Sequence, residues 1–216
     1  MVTHVTEIEY KEAKYDFAWW RVILFIFLAP LISIAIYKLT EAGWRITHGP
    51  IVRQTVWVIN KIVNTGDVFG WGFDDIPIDG FYYEVPGRGG IGFTTMCTGV
   101  QAIAIFTGII VMIPRSYNAE VNRTLWRRKF LALTVSSAIF YVVNIARMVL
   151  QLVLYYRGWN WDNIHVSISA ASSFIAALII ILMHRWIPEF IISIIWTLGE
   201  LKQLMGIGKK APPITT

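Results

Sequence analysis

The sequence predicts an all-α integral membrane protein of about four transmembrane helices, with interfacial amphipathic helices and a small extracytoplasmic hairpin or cap. Three observations carry that prediction. Charged residues make up 15% of the chain, where soluble domains hold about 25%. The mean hydropathy is +0.55. Several stretches approach the ~20 apolar residues that cross a bilayer core as a helix. Helices are the expected form because hydrocarbon offers no water to bond backbone groups, and an open sheet edge would leave them unsatisfied.

The spans are expected at residues 19–39, 93–114, 130–156 and 164–183 of one polytopic domain covering residues 1–216. The first lacks a small-residue cleavage site and outruns a signal-peptide core, so it reads as a retained helix, kinked at Pro30. Residues 50–64 follow as an amphipathic segment. Ile51, Val52, Val56, Ile59, Ile62 and Val63 share one helical face, and Arg53, Gln54, Asn60 and Lys61 the other. Such a helix is expected to lie along the membrane surface. Residues 76–85 carry an Asp79-Gly80 turn signal and lead into glycine-rich 86–92, which reads as a hairpin or extended cap just before Cys97, although Pro77 weakens a strand there. Beyond the last span, Pro188 opens a second amphipathic segment, 188–206, with Glu189, Ser193, Thr197, Glu200 and Gln203 along one face.

Loop charges orient the spans. The connection 115–129 holds Arg115, Arg123, Arg127, Arg128 and Lys129 against Glu120, whereas the connection 155–163 sets Arg157 against Asp162. The positive-inside rule makes the first cytoplasmic and the second external, and places both termini inside. The net charge of +5 is then a product of topology, and nucleic acid is not an expected partner. The sequence holds no glycine-rich phosphate loop and no zinc-ligand spacing, and neither a metal nor a cofactor is expected.

Within this greasy frame a few polar residues stand out. Arg147 lies inside the third span, where an arginine costs ~2.5–3.5 kcal/mol on insertion scales. Asn144 and Gln151 stand at i−3 and i+4 from it, so a polar stripe runs up one helical face. His165 opens the fourth span, with Ser169, Ser172 and Ser173 at helical spacing behind it. Cys97, the single cysteine, opens the second span beside Thr98 and cannot form an internal disulfide. The topology delivers all three to the outer membrane level: a nucleophile, a permanent cation and a titratable base. A guanidinium lowers a nearby thiol's pKa and stabilises an oxyanion, and an imidazole can protonate a leaving amine. His4 and His48 lie outside the spans, His184 falls at the cytoplasmic end, and Asp74, Asp75 and Asp79 read as a solvated acidic patch. Two other functions remain open on the residues alone. A small transporter would line a polar pathway with Asn144, Arg147, Gln151 and His165, and a non-catalytic assembly protein would use them for helix packing.

Cys97-Thr98-Gly99, the basic Arg127-Arg128-Lys129, Asn144-x-x-Arg147, His165 and the downstream Phe174 occur here in an order and spacing that resemble the exosortase/archaeosortase transpeptidases, across residues 94–174. The resemblance implies a membrane enzyme acting on secreted proteins whose C-terminal sorting signal comprises a short motif, a transmembrane helix and a basic cluster. It implies cleavage near the motif and transfer, through a cysteine acyl-enzyme, to a membrane lipid or other amine acceptor. Carried across, Cys97 is the nucleophile, Arg147 the electrostatic stabiliser and His165 the acid/base, with Asn144 orienting Arg147. Larger members have more helices, so the chain is most similar to the short archaeosortase-like branch. That implies an archaeal plasma membrane, with both termini cytoplasmic and the active site facing outward.

Overall fold

The computed structural model describes residues 8–74 and 80–205. An N-terminal hairpin, β1 (Ile8–Tyr10) and β2 (Ala13–Tyr15), precedes the long helix α1 (Trp19–Ala42), which runs through Pro30. Two short helices, α2 (Trp44–Thr47) and α3 (Gly49–Val58), lead into a π turn over Ile59–Val63. A three-stranded antiparallel sheet follows, with β3 (Gly70–Asp74), β4 (Gly80–Val85) and β5 (Gly89–Thr94) in sequential order. A 3-10 turn (Thr95–Thr98) joins β5 to α4 (Val100–Met112). The chain then continues through α5 (Ala119–Arg123), α6 (Leu125–Tyr156), α7 (Trp161–Trp186) and α8 (Glu189–Leu204).

The expected fold is met in part. The chain is mostly helical but not all-α, because two small sheets stand beside the helices. The cap is larger than a hairpin: β3 pairs with β4 as Trp71↔Tyr83, and β4 with β5 as Tyr83↔Ile91. The turn signal at Asp79, with Asp75, Ile76, Pro77 and Ile78, lies outside the described residues. The span count changes as well. Among the described residues two helices, α1 and α6, are long and apolar enough to cross a membrane, and the end of α7 with α8, bent by 92°, makes a third candidate. The span expected at 93–114 is divided. Its first residues belong to β5 and the 3-10 turn, and α4 keeps 13 residues, roughly 20 Å of helix against a ~30 Å hydrocarbon core.

Burial in these helices is inside-out. α6 buries Lys129, Ser136, Asn144 and Gln151 while exposing Phe130, Leu131, Val142 and Leu150. α8 buries Glu189, Ser193 and Glu200 and exposes Ile194, Ile195, Leu198 and Leu201. In water the opposite would hold, so these surfaces suit an apolar surrounding. Segment 50–64 departs from its expectation in the other direction. Ile51, Val52, Val56 and Ile59 are buried in one cluster with Phe81, Tyr83, Phe93, Met148 and Leu152, so the protein's own sheet and α6 cover this face. Ile62 and Val63 are exposed, because the helix widens into a π turn and rotates them off that face.

Close helix contacts position the remainder. At Gly108 of α4, an added Cβ would stand 2.1 Å from Ser33 Oγ and 2.6 Å from the Ala29 carbonyl of α1. Only a residue without a side chain permits that approach. Lys129 Nζ donates to the Val111 and Ile113 carbonyls, 2.8 Å each, and so caps the C-terminus of α4. Arg128 forks onto the fully buried Glu189 carboxylate and donates to the Val121 carbonyl, tying α6 to α8. The basic triplet read as a topology signal therefore also has structural duties. Truncating one partner of a buried ion pair strands the other charge. Glu189→Ala is expected to lower stability by about 3 kcal/mol, with the shift measured by denaturant or thermal melting in detergent. Arg128→Met with Glu189→Leu should recover most of the loss.

Candidate active site

The site forms where the sheet hands over to the helices. Along β4, Phe81, Tyr83 and Val85 alternate inward, and Ile91 and Phe93 do so on β5, so the sheet lays an apolar face over α3 and α6. The 3-10 turn then lifts Cys97 and Thr98 off the sheet. It ends at Gly99, whose left-handed backbone (φ 77°, ψ 0°) starts α4. A Cβ at Gly99 would lie 2.9 Å from Asn144 Cγ. The Cys-Thr-Gly sequence thus ends on a residue that is glycine for conformation and for clearance.

Asn144 and Arg147, one turn apart on α6, grip this turn. Asn144 Nδ2 donates to the Thr98 carbonyl, and a guanidinium nitrogen of Arg147 donates to the Cys97 carbonyl. Cys97 is half-buried and packs against the cluster under the sheet. Arg147 is half-buried, and its Nε is buried with no hydrogen-bond partner among the described residues. Gln151, a turn further along, is 0% exposed, and neither its amide oxygen nor its nitrogen has a described partner. The side chain of Ser169 lies outside the described residues. His165 is half-buried and stacks on Trp161 with ring centroids 5.5 Å apart. Trp161 meets Phe93 edge-on at 5.2 Å, and Phe93 meets Tyr83 at 4.8 Å. The described contacts therefore join Cys97, Thr98, Asn144 and Arg147 directly, and link His165 to them through an aromatic layer.

Three residues in this region escaped the sequence reading. Tyr83 is fully buried, with its hydroxyl 3.9 Å from Met148 Sδ. Burial holds its phenol well above the usual range. A hydrogen bond from Thr55 and the Arg147 charge pull it down, and a charge on Cys97 pushes it up. Tyr83 is thus a neutral donor in electrostatic reach of both residues. His48 is wholly buried and pairs with the Thr98 hydroxyl through Nδ1, while its Nε2 lies 3.7 Å from Glu41 Oε1. The Thr95 hydroxyl donates to Glu41 Oε2 at 3.0 Å. Alternation of Phe81, Tyr83 and Val85 could have pointed to Tyr83. Nothing local marks Glu41 and His48, whose meeting is a tertiary event. Among the described residues no three His, Cys, Asp or Glu side chains converge as a metal cluster. Comparisons with protein-family models, curated proteins and solved structures find no match.

Two measurements follow. Gly99→Ala must adopt a left-handed backbone and displace Asn144, so about 2 kcal/mol of stability should be lost. The reactivity of Cys97 toward a small alkylating agent should change with it, whereas Gly43→Ala, whose Cβ would meet only Thr47 Cγ2 at 4.0 Å, should alter neither. The second concerns His48, whose proton affinity burial lowers and Glu41 partly restores. The folded group titrates below the ordinary value of about 6.5, so under that pH the unfolded chain binds more protons. Stability is therefore complete above about pH 6.5 and falls as pH drops below it. Melting midpoints across that range should show the slope in the native chain and a smaller one in His48→Asn.

Proposed function

We propose that the chain is a membrane-embedded cysteine transpeptidase or peptidase of the exosortase/archaeosortase type, acting on C-terminal sorting signals of secreted proteins at the outer face of the membrane. The observation that carries this reading is Arg147. Its guanidinium is bonded to the backbone of the nucleophile candidate, and its Nε–H is buried with no described partner. That leaves a fixed cation with donor capacity beside the only thiol of the chain. A packing arginine would instead be expected to spend its donors on neighbouring helices.

In the proposed reaction the Cys97 thiolate attacks the carbonyl carbon of the scissile peptide bond, forming a C–S bond and an oxyanion. Arg147 stabilises first the thiolate and then that oxyanion, with the buried Tyr83 hydroxyl as a neutral donor in the same region. Collapse breaks the C–N bond, and the leaving amine takes a proton from His165. The thioester is next attacked by an amine of a lipid or another acceptor, or by water. The acceptor's proton returns to His165 and the thiolate is released. Asn144 orients Arg147 and the turn together. The inside-out helices supply the membrane setting, because a substrate helix can lie against α1 and α6 with its motif at the sheet end.

The test compares the C-termini of secreted and membrane proteins, by mass spectrometry, in cells carrying the native chain, Cys97→Ala or Arg147→Lys. Cys97→Ala is expected to abolish release of C-terminal helices while the variant still reaches the membrane in normal amount. Arg147→Lys keeps the charge but loses the planar fork, and processing should slow by roughly 10²-fold. Unaltered C-termini with Cys97→Ala would overturn the reading.

A further inference from the structure

The Glu41–His48 pair plays no part in the chemistry above, yet it ends on the turn that carries Cys97. His48 is completely buried, between Glu41 at the end of α1, Phe81 of β4 and Thr98 of the 3-10 turn. Thr98 Oγ1 lies within hydrogen-bond distance of two groups, His48 Nδ1 and the Thr95 carbonyl, the latter at 2.7 Å. A hydroxyl has one proton to donate. When His48 is neutral with its proton on Nε2, that N–H faces the Glu41 carboxylate and Nδ1 accepts from Thr98. When His48 binds a second proton, Nδ1 becomes a donor, and Thr98 must turn its own proton to the Thr95 carbonyl. The remaining tautomer would aim a bare Nε2 lone pair at a carboxylate oxygen 3.7 Å away, with both atoms buried and otherwise unpartnered among the described residues.

We propose that Glu41 and His48 are positioning residues: a proton-operated catch in which the state of His48 selects the acceptor of the Thr98 hydroxyl and thereby the shape of the turn that presents Cys97. One proton enters from solvent and forms the Nδ1–H bond; Nδ1–H then donates to Thr98 Oγ1, and the Thr98 hydroxyl donates to the Thr95 carbonyl. Glu41 is the entry point for that proton, since its side chain is partly exposed while its Oε1 stands against Nε2. Of the other charged or titratable groups on the surrounding elements, Arg45 lies over Trp44 and Phe73, Arg147 bonds the Cys97 carbonyl and Tyr83 points at Met148, whereas Tyr37 of α1 interacts with Glu41 itself. The catch bears on the proposed reaction only if Cys97 is its nucleophile, but it can be read without any substrate.

The experiment follows iodoacetamide alkylation of Cys97 in the full chain from about pH 5 to about pH 9, across the ordinary imidazole and thiol ranges, with Cys97→Ala as the blank. The native chain should show two inflections, that of the thiol and a second one. Thr98→Val should lose the second inflection, and Thr98→Ser should keep it. His48→Asn, whose amide can donate in place of Nδ1–H, should stay on the acid-side branch throughout. Glu41→Gln removes the charge that favours the imidazolium, so its inflection should move to lower pH. A single titration in the native chain, or an unchanged second inflection in Thr98→Val, overturns the catch. Should His48→Asn fail to fold, the two Thr98 variants decide alone. An absent inflection with processing still dependent on Cys97 refutes the catch and leaves the transpeptidase reading intact. A present inflection with Cys97-independent processing does the reverse.

Discussion

Two backbone carbonyls, those of Cys97 and Thr98, sit where a strand gives way to a helix and neither ladder can pair them. In a poorly hydrated setting each unmet carbonyl would cost a few kcal/mol, of the order of a lost buried hydrogen bond. Arg147 and Asn144 of α6 supply the donors. That arrangement fixes much else. α4 must start at a left-handed glycine to clear Asn144, and α6 must cross directly behind the turn. The sheet must roof the same point, as Tyr83, Phe93 and Met148 do by sharing one buried cluster. The polar stripe on α6 is thus first a means of closing the fold around Cys97, and any catalytic use is built on that duty.

The inside-out distribution follows the same logic further from the site. Lys129 finds its partners in the last carbonyls of α4, Glu189 in Arg128, and Ser33 in the carbonyls of Ala29 and Ile105. These inward polar groups meet an acceptor or donor from another helix, whereas Gln151 and the Arg147 Nε have no partner among the described residues. Many of the large apolar residues turn out, where hydrocarbon costs them nothing. Such packing gains little from a hydrophobic drive between helices and depends on close approach and satisfied polar groups. The near-contact at Gly108 and the buried Arg128–Glu189 pair therefore weigh more here than similar features would in a soluble domain.

Hydropathy made the long helices legible, because α1 and α6 owe their existence to local composition and their boundaries to loop chemistry. The Asn144–Arg147 spacing was legible for the same reason, since helical periodicity alone puts both residues on one face. The shortened α4 was not, because the apolar run 93–114 is shared between a buried strand and a helix, and strand and helix cores look alike in composition. β3 was hidden by its glycines, which read as loop until β4 supplies a partner. Glu41 and His48 were illegible for a deeper reason: a residue outside the spans gains meaning only when the chain folds back and sets it against Thr98.

The placement of His165 behind Trp161 and Phe93 is compatible with the proposed chemistry if acid and nucleophile serve different atoms. A thiol, unlike a serine hydroxyl, does not need its base in contact, because a neighbouring cation alone raises the thiolate fraction. In the proposed reaction that cation is Arg147, which is bonded to the Cys97 carbonyl. The acid is needed at the leaving nitrogen, which lies across the scissile bond from the attacking sulfur and away from the oxyanion. In the proposed reaction, a histidine behind an aromatic wall would meet the leaving nitrogen of the substrate. Trp161 ties His165 to the sheet, through its ring contact with His165 and its edge contact with Phe93, and in the proposed reaction it is the residue that would hold the acid in place.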